Sequence, residues 1–355
     1  MIRVGIVGFG MAGRVFHAPL ISSVEGLELA AVVERRTSQA AERYPGLTIY
    51  RTLEDLLADA SIDLVVVATP SGTHFDVARQ ALEGGKPVIA DKPLAVGSGE
   101  IAQLIALASA KGLLLIPFHN RRWDGDFLTV QRLLKEKRLG RLVEFASRFD
   151  RWRPGVSTTR LWKEDPASGG GVLLDLGTHI ADQALTLFGK PQGVYAEVAR
   201  ERDGKGANDA FTVRLRYPGF VVVLGANSLS APAGPRFHLR GTSGNYWKMG
   251  IDPQEAALNK ITRITAVNWG QEPVADWGML HVDVDGGMVT CPVAPIPGDY
   301  RLYYAGVRDA LLGKGRAPVA AVEAWRVARV LEWAQESSAK RCEVECDWTE
   351  EPESD

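Results

Sequence analysis

The sequence predicts an α/β fold in two parts, a doubly wound parallel sheet over residues 1–120 and an α+β domain with a mostly antiparallel sheet over 121–355. Three observations carry this. Apolar runs alternate with helical patterns from residue 1 to about 118. After residue 120, strand patterns follow one another without intervening helices. A glycine triplet also joins the first apolar run to the first helical stretch.

That triplet is Gly8-Phe9-Gly10-Met11-Ala12-Gly13, directly after the strand Ile2–Val7. G-x-G-x-x-G between a strand and a helix is a Rossmann dinucleotide fingerprint. Gly8 permits the tight turn, Gly10 lets backbone approach a pyrophosphate, and Gly13 lets the helix pack closely on the strand. The helix amino terminus then offers N–H groups and a positive dipole end to the phosphates. A second strand, Leu27–Val33, ends at Glu34. An acidic residue there is placed for a ribose 2′-hydroxyl, unless it is an ordinary solvated glutamate. Arg35 and Arg36 suit a 2′-phosphate instead. The cofactor reading is therefore NAD or NADP, with Glu34 tipping it toward NAD.

The remaining elements follow in order. Ile62–Ala68 is a continuous apolar strand, as in a sheet covered on both faces, and it ends in the polar loop Thr69–His74. Phe75–Leu82 reads as a helix stopped by Gly84-Gly85, and Pro87–Ala90 as a strand ending in Asp91-Lys92-Pro93. Glu100–Lys111 puts Ile101, Leu104, Ile105 and Ala108 on one helical face, and Leu113–Ile116 is the next strand. A helix over Phe127–Lys137 leads to strands at Leu142–Phe149, Val194–Glu201, Ala210–Tyr217, Phe220–Ala226 and Arg236–Gly241. Val319–Ala339 has helical periodicity, and the acidic end Asp347–Asp355 is expected to fray.

Composition narrows the function classes. At 355 residues the chain exceeds one typical core. Forty-one basic against 43 acidic residues leave a net charge of −2, which gives no electrostatic footprint for nucleic acid or an anionic membrane. The three cysteines, Cys291, Cys342 and Cys346, lack paired metal spacing and read as structural thiols. No apolar run approaches the roughly 18 residues of a membrane span. A strand starting at residue 2 leaves no room for a signal peptide, so the expected location is the cytoplasm.

Two segments carry chemistry. Asp91-Lys92-Pro93 lies at a carboxyl strand end, where open α/β sheets bind ligands, and Pro93 restricts how Lys92 is presented. Lysine brings three donors on a mobile cation, suited to holding a substrate oxygen. In Gly169–Asp182 a glycine run precedes a helix. Asp175, His179 and Asp182 share one face at i, i+4 and i+7, and Leu173, Leu176, Ile180, Ala184 and Leu187 share the other. His179 is the natural general base for a hydroxyl proton, with Asp175 orienting it or binding substrate. A solvated turn lysine and a structural His179–Asp175 pair are the bland alternatives.

Together these motifs resemble the glucose–fructose oxidoreductase, inositol dehydrogenase and rhizopine-catabolism family, Gfo/Idh/MocA, over nearly the whole chain. The resemblance rests on Gly8–Gly13, Ala68-Thr69-Pro70 with His74, Gly85–Val88 leading into Asp91-Lys92-Pro93, and Gly169–Asp182 followed by Leu187-Phe188-Gly189. The family's lysine motif is usually E-K-P, often with a cis peptide before the proline; here Asp91 replaces the glutamate. Val15–Leu20, Asn120–Phe127 and Ala184–Gly189 are similar to a bacterial subgroup that includes scyllo-inositol dehydrogenases, which points to a cyclitol or sugar substrate.

The resemblance implies a Rossmann domain joined to a domain whose large open sheet makes oligomer contacts, so a homodimer or homotetramer is expected. It implies hydride transfer from a secondary alcohol to NAD or NADP, with Lys92 and His179 acting on the alcohol oxygen and no metal. Phe9, Met11, Ala12, Thr69, Pro70, Ser71, His74, Asp91, Asn120 and Trp162 are expected around the cofactor, although Trp162 also reads as a core aromatic. Arg122 joins Lys92, Asp175 and His179 at the substrate, and Tyr300 and Tyr303 are further candidates to face it. An NAD-dependent glycosidase of the same fold, or a regulator without catalysis, fits the same motifs.

Overall fold

The computed structural model describes residues 1–156, 161–203 and 206–353. In its first sheet, β1 (Ile2–Val7), β2 (Leu27–Val33), β3 (Thr48–Tyr50), β4 (Leu64–Val67), β5 (Val88–Ala90) and β6 (Leu115–Pro117) lie in the order β3-β2-β1-β4-β5-β6. Every neighbouring pair is parallel. The order reverses between β1 and β4, which opens a crevice at the carboxyl ends of the strands. Strand periodicity divides β4 between two cores: Leu64 and Val66 join one, Val65 and Val67 the other. Helices α1 (Ala18–Ile21), α2 (Gln39–Arg43), α3 (Leu53–Ala58), α4 (His74–Glu83) and α5 (Ser98–Lys111) connect the strands.

After α6 (Gly125–Lys135) and β7 (Leu142–Arg148), α7 (Thr178–Phe188) precedes β8 (Gly193–Ala199), β9 (Ala210–Tyr217), β10 (Phe220–Asn227), β11 (Phe237–Gly241) and β12 (Gly244–Lys248). The short α8 (Gln254–Leu258) leads to the hairpin β13 (Gly278–Val284) and β14 (Gly287–Val293), then α9 (Arg301–Leu311), α10 (Ala321–Lys340) and β15 (Val344–Glu345). The second sheet runs β14-β13-β12-β11-β7-β10-β9-β8-β15. The β7/β10 pair is parallel and the other pairings are antiparallel. Phe127 and Val130 of α6, Ile180 and Ala184 of α7, and Val330 and Trp333 of α10 cover one face. On the opposite face Thr212 and Arg214 of β9 are exposed, so this sheet is open.

Several elements differ from expectation. β3, β12, α9 and the β13/β14 hairpin were not foreseen. The hairpin turns at Asp285 (φ 53°) and Gly286 (φ 82°), the pair of positive φ angles that a primed turn requires. The late helix α9 also returns to the first sheet, where Tyr300, Tyr303, Tyr304 and Val307 share a core with Val4, Ile6 and Phe118. The acidic end does not fray over its described part. Trp348 meets Trp333 edge-on at 4.8 Å and donates to the Pro191 carbonyl, while Glu351 pairs with Arg326 and Lys190. Residues 354–355 lie outside the described residues.

Candidate active site

The glycine turn has the geometry that its three roles demand. Gly8 has φ +97°, and a Cβ there would lie 2.8 Å from the Ala68 carbonyl oxygen. A Cβ on Gly13 would lie 2.3 Å from the Gly8 carbonyl oxygen, so only glycine lets the helix approach so closely. Gly10 is exposed and has nothing within 4 Å of its Cβ position, which leaves the approach open for a pyrophosphate. Phe9 is buried edge-on against Tyr44, whereas Met11 is exposed at the rim. The turn therefore fits a dinucleotide.

Glu34 does not present its carboxylate to that site. It is buried, accepting from the Thr37 hydroxyl at 2.6 Å and from the Ala40 N–H at 2.9 Å at the start of α2. Arg51 bonds the Glu34 and Thr37 carbonyls and the Ser38 hydroxyl, which fixes the loop. Arg35 and Arg36 are exposed and have no hydrogen-bond or ion-pair partner among the described residues. The reason for favouring NAD is thereby removed.

Lys92 stands just beyond β5, and its bond to Pro93 is cis. Its Nζ donates to the Asp175 carbonyl at 2.6 Å and to Asp175 Oδ1 at 2.9 Å. Lys163 donates to Asp175 Oδ2 at 3.0 Å. Burial would raise the Asp175 pKa, but the Lys92 and Lys163 ammoniums outweigh it and hold the carboxyl well below its usual range. A lysine has three N–H donors, so one on Lys92 remains for a substrate oxygen. The glycine run explains how Lys163 arrives. A Cβ on Gly170 would lie 2.6 Å from the Asp165 and Lys163 carbonyl oxygens, so glycine alone admits the loop at that distance.

Asp175 sits in a widened helical turn, Leu173–Gly177, that runs into α7 and carries His179 one turn on. The imidazole is buried, and its Nδ1 has no hydrogen-bond partner. Burial, reinforced by the Lys92 and Arg121 cations, holds its pKa well below 6.5, so it stays neutral and keeps a lone pair near neutral pH. His74 acts at one remove. Its ring spans the Thr69 carbonyl at 2.8 Å and the Pro93 carbonyl at 2.7 Å, tying the loop after β4 to the turn that presents Lys92.

Other predicted residues fall elsewhere. The Arg122 guanidinium forks onto Asp182 at 2.9 and 2.6 Å and also meets Glu323 at 3.0 Å, so two carboxylates of the protein already match its charge. Asp182 accordingly leaves the Asp175–His179 grouping for Arg122 and His119. Asn120 is buried. Tyr300 and Tyr303 do not face substrate, because both are fully buried and bonded to Asp124 and to the Pro117 carbonyl. Asp91 accepts from the Lys92 N–H. Trp162, Ser71 and Asp175 line a cavity of about 390 Å³, together with Lys163, Arg151 and Arg153, which sequence reasoning missed.

Residues 2–119 match the oxidoreductase family with the NAD-binding Rossmann fold, and residues 127–247 match the GFO/IDH/MocA C-terminal domain. A relative from Escherichia coli, the uncharacterized oxidoreductase YdgJ, is 40% identical over 96% of this chain and 97% of its own length. The chain belongs to the GFO/IDH/MocA oxidoreductase family. Another GFO/IDH/MocA relative is the Bacillus subtilis scyllo-inositol 2-dehydrogenase (NADP(+)) IolW, 34% identical over 96% of this chain and 94% of its own. The crystallised Bacillus subtilis oxidoreductase yvaA has the same fold, with a TM-score of 0.92, 32% identity and 98% of each chain covered. This GFO/IDH/MocA chain is thus an NAD(P)-dependent oxidoreductase.

Proposed function

We propose that this enzyme transfers hydride between NADP and a secondary alcohol of a cyclitol or sugar. The observation that carries the reading is the Lys92–Asp175 junction, where an ammonium from the nucleotide-binding sheet is fixed one helical turn before a neutral buried imidazole. The name of the NADP(+)-dependent inositol dehydrogenase relative supports the substrate class.

Lys92 directs its remaining N–H to the alcohol oxygen and stabilises negative charge as it develops there. His179 takes the hydroxyl proton on its free lone pair. Asp175 keeps Lys92 aimed. When bound, the nicotinamide supplies the acceptor for the hydride that leaves the alcohol carbon. We assign the open sheet face, on which Tyr195 and Trp247 are exposed, to the contact of a homodimer or homotetramer. The cytoplasm is the setting we assign. Screening cyclitols and aldoses with NADP and with NAD tests the reaction by net formation of reduced cofactor, which a glycosidase would not give.

Two quantitative expectations follow from the site. Arg35 and Arg36 grip the 2′-phosphate, so alanine at either lowers kcat/KM for NADP about tenfold to a hundredfold, with a much smaller effect for NAD. Steady-state kinetics with both cofactors checks this, and an equal loss for NAD and NADP contradicts it. The second concerns pH. Because the His179 pKa is depressed below 6.5, the acid limb of kcat/KM for alcohol oxidation falls below pH 6.5. Lys92 contributes to that depression, so Lys92→Met moves the limb upward toward pH 6.5. A parent limb above 6.5 would remove His179 as the base.

A further inference from the structure

The cavity beside Asp175 carries more positive charge than its own carboxylates match. Arg151, Arg153, Lys163 and Arg202 line it, against Glu164 and Asp175. Two of these cations are engaged: Lys163 holds Asp175, and Arg202 bonds Asp209, Glu164 and the Gly155 carbonyl. The side chains of Arg151 and Arg153 have no hydrogen-bond or ion-pair partner among the described residues.

Their placement is built into the backbone. Beyond β7 the chain stays extended, with the Arg151 N–H on the Asn227 carbonyl at 3.0 Å and the Arg153 N–H on the Ser228 carbonyl at 2.7 Å. Trp152 bridges to Leu229 between them. Extended chain has a period of two, so residues 151 and 153 share the cavity face, while Trp152 points away and is 59% exposed. Arg151 is half-buried, and this burial, with the neighbouring Arg153 and Arg121 cations, opposes its charge more than the nearby Asp175 and Glu255 carboxylates, neither of them bonded to it, support it. A guanidinium held there unpaired is unfavourable until an anion arrives. Asp175 is already matched by two lysines. A neutral polyol would need hydroxyl partners and no such excess of cations.

We propose that the alcohol substrate carries a carboxylate or phosphate group, held by Arg151 and Arg153 while its hydroxyl lies at Lys92. Planar guanidinium forks suit either oxyanion. This inference rests on the dehydrogenase reading for its reaction, while the anion subsite has a readout of its own.

The test compares D-glucose with D-glucuronate and D-glucose 6-phosphate, and myo-inositol with myo-inositol 1-phosphate, all with NADP. At least one anionic compound is expected to exceed its neutral parent tenfold in kcat/KM, and the carboxylate and phosphate arms tell which oxyanion is read. Arg151→Met with Arg153→Met is expected to raise KM for that compound at least tenfold; Arg153→Met alone, at an exposed position, gives a partial loss. In parallel, calorimetry follows D-gluconate and inorganic phosphate binding to the NADP-loaded protein, with one of them binding the parent and not the double variant. The proposal is overturned if the neutral parents are used as well as every anion, or if anion binding survives in the double variant. It is also overturned if that variant loses NADP instead, or if neither oxyanion binds the parent. Oxyanion binding without turnover of any alcohol would keep the subsite and sink the dehydrogenase reading.

Discussion

Replacing Lys92 by alanine lowers kcat for alcohol oxidation by about 10²–10³-fold, the cost of removing one preorganised donor from a developing oxyanion. The NADP dissociation constant stays within about twofold, since the proposed phosphate contacts, at the glycine turn and the Arg35–Arg36 loop, are untouched by the substitution. The fold persists because Asp175 retains Lys163 at 3.0 Å on its other oxygen. Steady-state kinetics and cofactor fluorescence titration measure the two quantities separately. A variant that turns over normally would remove Lys92 from the reaction. One that fails only by losing NADP would make it a cofactor residue.

Asp182→Ala has its largest effect on stability. Its carboxylate is 3% exposed and receives the fork of Arg122, whose side chain is only 12% exposed. Burial alone would raise the Asp182 pKa, yet Arg122 and His119 hold it below the usual value, which marks a pair formed in its charged state. Removing the anion leaves Arg122 buried with Glu323 as its remaining partner, at a cost of about 3 kcal/mol or somewhat more. Chemical denaturation should show that loss. Asp182→Asn, which keeps an acceptor, should lose less. An alanine variant as stable as the parent would contradict this bracing role.

Sequence exposed features that local geometry dictates. Gly8, Gly10 and Gly13 were readable because each role follows from the absence of a Cβ. The buried strands of the first sheet were readable because both their faces are apolar. Lys92 and Asp175 were each visible, and the structure adds that they touch. That Arg122 braces Asp182 was not legible, because its partner lies 60 residues away in sequence, and nothing local distinguishes a paired guanidinium from a free one. Tyr300 and Tyr303 failed for the same reason, since a tyrosine after a Gly-Asp turn serves a core or a cleft equally. Glu34 was different. Thr37 and Ala40 lie three and six residues on, so its inward turn was a local feature that the strand-end rule overrode. The alternation of Arg151 and Arg153 was also visible, but it acquires meaning only once the chain beyond β7 is seen to stay extended. Asp285-Gly286 was a hairpin signal passed over.

The central claim is that Lys92 and His179 act on one alcohol oxygen, and a double-mutant cycle in kcat tests it most directly. Groups that work as a unit are strongly non-additive. With a compound that the parent oxidises, Lys92→Ala with His179→Ala should therefore fall no more than about tenfold below the slower single variant. A double variant slowed by the full product of the two single losses would show that ammonium and imidazole act independently, and would contradict the account.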